Sequence, residues 1–118
     1  YNIFKMIETH KRYCFALDLI NDDELMTAYK KYHQEVWPEI VESIKALGIE
    51  TLEIYLVANR LFMIMEVDDS FSFEKKSEQD AQNPKVQEWE TLMWKYQKAL
   101  PTSKKGEKWL LMEKIYQL

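Results

Sequence analysis

A chain of 118 residues, 47% hydrophobic and 14% aromatic, has the length and the apolar stock for one domain around one core. Two glycines and three prolines argue against a low-complexity protein, and a net charge of −4 without a basic stripe argues against nucleic acid as a partner. No run approaches the ~20 apolar residues that cross a bilayer, so no membrane role is expected. The lone cysteine, Cys14, has no internal disulfide partner, which suits a reducing cytoplasm.

The opening residues, YNIFKMIETHKRY, are polar and mixed in charge, unlike a signal peptide. From residue 12 the pattern becomes regular. In RYCFALDLI, Tyr13, Phe15, Leu17 and Leu19 fall on one side and Cys14, Ala16, Asp18 and Ile20 on the other, the period of a strand. NDDE then supplies a cap and acidic first-turn residues for a helix. Leu25, Ala28, Tyr29, Tyr32 and Val36 form its apolar stripe. Pro38 cannot continue that helix, and the residue before a proline is pushed out of helical geometry, so a break is predicted at residues 34–37. Pro38 suits the first turn of a second helix, which Gly48 ends.

ETLEIYLV and LFMIMEV read as a hairpin around a short ANR turn, the second strand being apolar on both faces and hence central. DDSFSFEKKSE is expected as a short helix or ordered loop. In NPKVQEWETLMWKYQKAL, Asn83 caps, Pro84 takes the first helical position, and Val86, Trp89, Leu92, Met93, Tyr96 and Leu100 share a stripe that Pro101 closes. Trp94 lies off that stripe and calls for a loop or dimer contact. PTSKKGEKW is a loop, and WLLMEKIYQL a last strand. The order β-α(α)-β-β-(α)-α-β predicts a ferredoxin-like α+β sandwich, with helices on one face of an antiparallel sheet. Residues 1–11 are expected as an N-terminal extension and 12–118 as a single domain. The uncovered sheet face calls for a second copy or a ligand.

Candidate chemistry concentrates in AYKKYHQEVWPEI. His33 falls on the rim of the helical stripe, one turn after Tyr29, so ring and hydroxyl can point to one place. It also sits in the last turn, where the helix dipole favours the imidazolium and makes it a proton donor. A histidine that merely caps carbonyls at a helix end fits the same pattern. Tyr29 fits a core aromatic with a wet tip, and Trp89 either core or a ligand platform. Glu53 and Tyr55 project from the opposite strand face to Leu52, Ile54 and Leu56; on the uncovered sheet face they suit a polyhydroxylated ligand or a solvated surface equally. No Cys/His cluster, HExxH spacing, nucleophile elbow or glycine-rich phosphate loop is present, so neither a metal nor a nucleotide is expected.

The segment Y-x-x-x-H-x-x-x-W-P-E, formed by Tyr29, His33, Trp37, Pro38 and Glu39, resembles the signature of the L-rhamnose mutarotase family. The likeness continues through IYL, FMIMEV, NPKVQEWETLMWKYQKALP and GEKWLLMEKIY, covering residues 12–116. It implies a homodimeric α/β barrel that interconverts the α and β anomers of a 6-deoxyhexose without a cofactor. By the resemblance His33 matches the proton donor and Tyr29 a substrate-contacting tyrosine. Trp89 matches the first of two adjacent sugar-contacting tryptophans; Glu90 stands at the second, and Leu52 stands where members place a tyrosine. These departures leave the sugar open between L-rhamnose, L-fucose and other deoxysugars. Trp89, Glu90, Leu52 and Tyr55 join Tyr29 as candidate substrate contacts. Two rivals remain at this level: a dimeric α/β-barrel monooxygenase that degrades haem or oxidises small substrates, and a non-catalytic deoxysugar-binding protein.

Overall fold

The computed structural model describes residues 11–118; the expected N-terminal extension lies outside these residues, except for Lys11, which opens the first strand. In chain order the elements are β1 (Lys11–Leu19), α1 (Asp23–Gln34), α2 (Pro38–Ala46), β2 (Ile49–Val57), β3 (Arg60–Val67), α3 (Phe73–Gln82), α4 (Pro84–Trp94), β4 (Gln97–Lys98) and β5 (Leu110–Leu111).

Local chemistry fixes most of these boundaries. Asp22 caps α1 by accepting the Leu25 N–H, and α1 stops before Pro38 takes the first position of α2. Gly48 leaves α2 at φ +86°, a left-handed turn where a Cβ would also clash with the Asp68 carboxylate. Ser72 caps α3, settling DDSFSFEKKSE as a helix, and Asn83 caps α4 through the N–H groups of Lys85 and Val86. The hairpin turns at Ala58 and Asn59, and Asn59 ties its tip to Leu19 through Leu19 N–H at 2.7 Å and its own Nδ2 at 3.0 Å.

Strands run in the order β2-β3-β1-β4, all antiparallel, with β5 also pairing β1. This is the ferredoxin-like sandwich, and β3 is indeed interior. Register sets Leu17 beside Leu61, Phe15 beside Met63 and Tyr13 beside Met65, continued by Ile54 and Leu52 on β2, as one apolar face. The core under the helices forms two clusters. Phe15, Leu47, Ile49, Met65 and Val67 make one; Leu19, Tyr29, Leu61 and Met93 make the other; Trp109 packs against both.

Two expectations differ from the structure. The last long helix ends at Trp94 rather than Leu100, because the chain is taken into the sheet: Ile20 N–H bonds the Tyr96 carbonyl at 2.9 Å, and Gln97 and Lys98 pair with Leu19 and Asp18. The closing strand shrinks to Leu110–Leu111, with Met112 N–H bonding the Cys14 carbonyl at 2.7 Å. Beyond it Ile115, Tyr116 and Leu118 are exposed.

Candidate active site

Between the helices and the sheet, where the two core clusters meet, lies a cavity of about 210 Å³. Its floor is the apolar face of β2 and β3, represented by Leu52, Ile54, Met63 and Met65. Its helical walls bring Tyr29 and His33 from α1, and Trp89 and Glu90 from α4. A second hollow shares Tyr29, His33, Leu52 and Ile54 with it, so the imidazole borders both.

The histidine is held in a defined way. Its Nδ1 lies 2.9 Å from the Tyr29 carbonyl oxygen, one turn back along α1. A carbonyl only accepts, so Nδ1 carries the hydrogen and Nε2 is the nitrogen left for exchange with a ligand. The ring stacks at a tilt 4.5 Å from Tyr29 and meets Trp89 edge-on at 5.6 Å, while Trp37 packs on Trp89 at 5.0 Å. Carbonyl capping and a cavity position, alternatives in the sequence, thus coexist in one residue. The Nδ1 bond holds the ring, and the same residue lines the cavity.

Tyr29 is 4% exposed, and its hydroxyl accepts a hydrogen bond from Gln97 Nε2 at 3.1 Å. Burial pushes this phenol above its ordinary value, only partly offset by the Gln97 bond, so at neutral pH it is a hydroxyl and not a phenolate base. Gln97, itself 7% exposed, keeps its Oε1 without a partner at the cavity wall.

Of the residues singled out in the sequence, the cavity gathers Tyr29, His33, Leu52, Trp89 and Glu90. Tyr55 is not among them. Strand alternation puts it on the far side of the sheet from Leu52, 55% exposed, where its hydroxyl reaches Glu53 at 3.4 Å. A substrate contact by Tyr55, expected on the uncovered sheet face, would have to be made there and not in this cavity. Trp94 has found the loop contact its position called for, with Lys108 Nζ 5.1 Å from its ring.

Five polar residues of the cavity escaped sequence reasoning: Ser43 on α2, Gln97 and Lys108 at the β4–β5 edge, and Lys76 with Asp80, an ion pair on α3. The i,i+4 spacing of the pair was readable, but not the wall it would face. Gln97 and Lys108 reach the cavity through long-range strand pairing, which leaves no local pattern. Among the described residues no three His, Cys, Asp or Glu side chains are grouped to hold a metal ion. Nor is any helix there long and apolar enough to cross a membrane.

The family model for L-rhamnose mutarotase matches residues 12–118. The chain belongs to the L-rhamnose mutarotase family. Within reach of that family, it is 44% identical over 110 residues to an L-fucose mutarotase of Xanthomonas campestris pv. campestris, covering 92% of this chain and 88% of that one. An L-rhamnose mutarotase of Listeria monocytogenes is 37% identical over 70 residues, 58% of this chain and 60% of the relative. The crystal structure of an L-rhamnose mutarotase from Formosa agariphila shares the fold with a TM-score of 0.69 at 22% identity, over 92% of this chain and 98% of the other.

Proposed function

We propose that this protein is a cofactor-independent aldose mutarotase that interconverts the α and β anomers of L-fucose or L-rhamnose, with His33 as the group that exchanges the proton. One observation carries the reading: an imidazole pinned through Nδ1 borders a mostly apolar cavity in a member of this family. The 44% identity to a relative named for L-fucose favours that sugar over L-rhamnose.

The chemistry needs little else. Opening a pyranose requires a proton on the ring oxygen as the C1–O bond breaks, while the anomeric hydroxyl loses its proton and becomes the aldehyde. Nε2–H of the imidazolium gives the first proton, and water at the cavity mouth takes the second. Rotation about C1–C2 offers the other carbonyl face to the C5 hydroxyl; reclosure returns that hydroxyl's proton to Nε2, and C1 oxygen regains one from water. No electron or atom is gained or lost over the cycle. Trp89 and the methionine floor suit the sugar's C–H face and methyl group, and Tyr29, as a neutral hydroxyl, suits a hydrogen bond to an oxygen. Glu90 joins them as a contact at the rim.

The decisive test is saturation-transfer NMR between the anomeric signals of both sugars. Faster exchange with protein than without supports the reading; unchanged exchange for every deoxysugar tried removes it. We further assign the protein to the cytoplasm as a homodimer joined through the bare sheet face, where Cys14, Ala16, Phe62 and Ile64 are half-buried and Tyr55 and Val57 are exposed. Sedimentation equilibrium reads this directly, and a monomer at micromolar concentration ends it.

A further inference from the structure

We infer that Lys108 is a substrate-binding residue, a hydrogen-bond donor to a ring hydroxyl of the sugar, and that it helps set which deoxysugar is accepted. The inference rests on the mutarotase reading and adds a residue to it.

An ammonium group has three hydrogens to place. Lys108 Nζ donates one to the Glu90 backbone carbonyl at 3.0 Å, while the Glu90 carboxylate, at 3.9 Å, stands outside hydrogen-bond range. The Trp94 ring at 5.1 Å contributes a π face and no lone pair. Yet the side chain is only 24% exposed and forms part of the cavity wall, so water replaces the missing acceptors incompletely. Burial accordingly pushes its value below that of an ordinary lysine, with Glu90 opposing.

The backbone beneath is well fixed. A turn aims the residue, with Glu107 N–H on the Lys104 carbonyl at 3.0 Å and Lys104 N–H on Glu107 Oε1 at 2.7 Å, and Gly106 at φ +87°. Trp109 follows into the core, and Leu110 pairs with Ala16 of β1. Around the cavity Lys76 and Lys108 are balanced by Asp80 and Glu90, so the wall favours a neutral ligand over an anion. A donor beside a carboxylate is a fitting arrangement for adjacent hydroxyls, each of which both donates and accepts.

The test compares anomer exchange by the wild-type protein and by Lys108→Met, which keeps the apolar stem over Trp94, on L-fucose, L-rhamnose and their monodeoxy analogues. KM should rise about 10- to 100-fold for the preferred sugar, with kcat within about twofold, as for loss of one charge-assisted hydrogen bond. For the analogue lacking the bound hydroxyl the two proteins should have the same KM. Wild-type KM should also rise on the alkaline side, below the ordinary lysine range, as the ammonium loses its proton. That limb should vanish in Lys108→Met and move to higher pH in Lys108→Arg. Other charged and titratable groups facing the cavity are His33 and Tyr29 on α1, Lys76 and Asp80 on α3, and Glu90 on α4; they remain in every variant. Melting curves verify folding, and Lys108→Gln serves if the methionine variant is unfolded. An unchanged KM, an equal loss across all analogues, or a loss confined to kcat overturns the inference. Exchange that is accelerated by wild type but indifferent to residue 108 leaves the mutarotase reading standing without it.

Discussion

Strand β2 carries two faces of different fate. Leu52, Ile54 and Leu56 turn toward the helices, the first two flooring the main cavity and all three bordering its neighbour. Thr51, Glu53, Tyr55 and Val57, from the same strand, look the other way, and Val57 is 74% exposed. The covered side is aliphatic throughout and the other mixed, yet the exposed Val57 shows that an apolar side chain alone does not mark the binding surface. What separates them is cover. Where α1 and α4 lie over the sheet, a concave space arises that one imidazole and one indole, His33 and Trp89, border together.

Substitutions can break that contrast. His33→Ala, on the covered side, should lower the rate of anomer exchange by about 10²- to 10⁴-fold while leaving the melting curve nearly unchanged; a rate within a few-fold of wild type would detach catalysis from the cavity. Leu17→Ala, in the core of the covered face with no exposure, should cost about 2–5 kcal/mol in urea unfolding. A loss below about 1 kcal/mol would mean that this face is far more plastic than its packing suggests.

Alkaline titration sharpens the comparison further. The Tyr29 phenol is raised in the folded protein, so above the ordinary tyrosine value of 10.0 the unfolded chain releases its proton first. The stabilisation is complete below 10.0 and is lost as pH climbs through the folded value. Tyr29→Phe should flatten that decline, read by urea unfolding across a series of alkaline pH values. The smallest effect belongs to Tyr55→Phe at neutral pH, expected within about 0.5 kcal/mol in monomer stability and without change in exchange rate. A tenfold rate loss there would return Tyr55 to the site through the partner of a dimer.

The legible part of this protein was the part written locally. Alternation gave β1, Pro38 broke the helix pair, Gly48 and Asn83-Pro84 marked ends, and the spacing of Tyr29 and His33 put them on one helical face. The end of α4 was hidden because Lys95, Tyr96 and Gln97 contain no breaker; a hydrogen bond from Ile20 and pairing with β1 decide it. Likewise WLLMEKIYQL was expected as a whole strand, but only Leu110 and Leu111 pair with β1, followed by a single bond from Met112 N–H to the Cys14 carbonyl. Tyr55 and Leu52 illustrate the same limit at the site. Their opposite directions were readable, and so was the uncovered side for Tyr55; that Leu52 would share a cavity with His33 and Trp89 depended on the whole topology.

Trp109 links the two halves of the interior and comes late in the chain. During synthesis, Tyr29, His33 and Trp89 all emerge before the indole that joins their cluster to the other. A nascent chain can therefore gather the helices and the hairpin yet still lack the plug between them, and it should stay loose and ligand-blind until that tryptophan arrives.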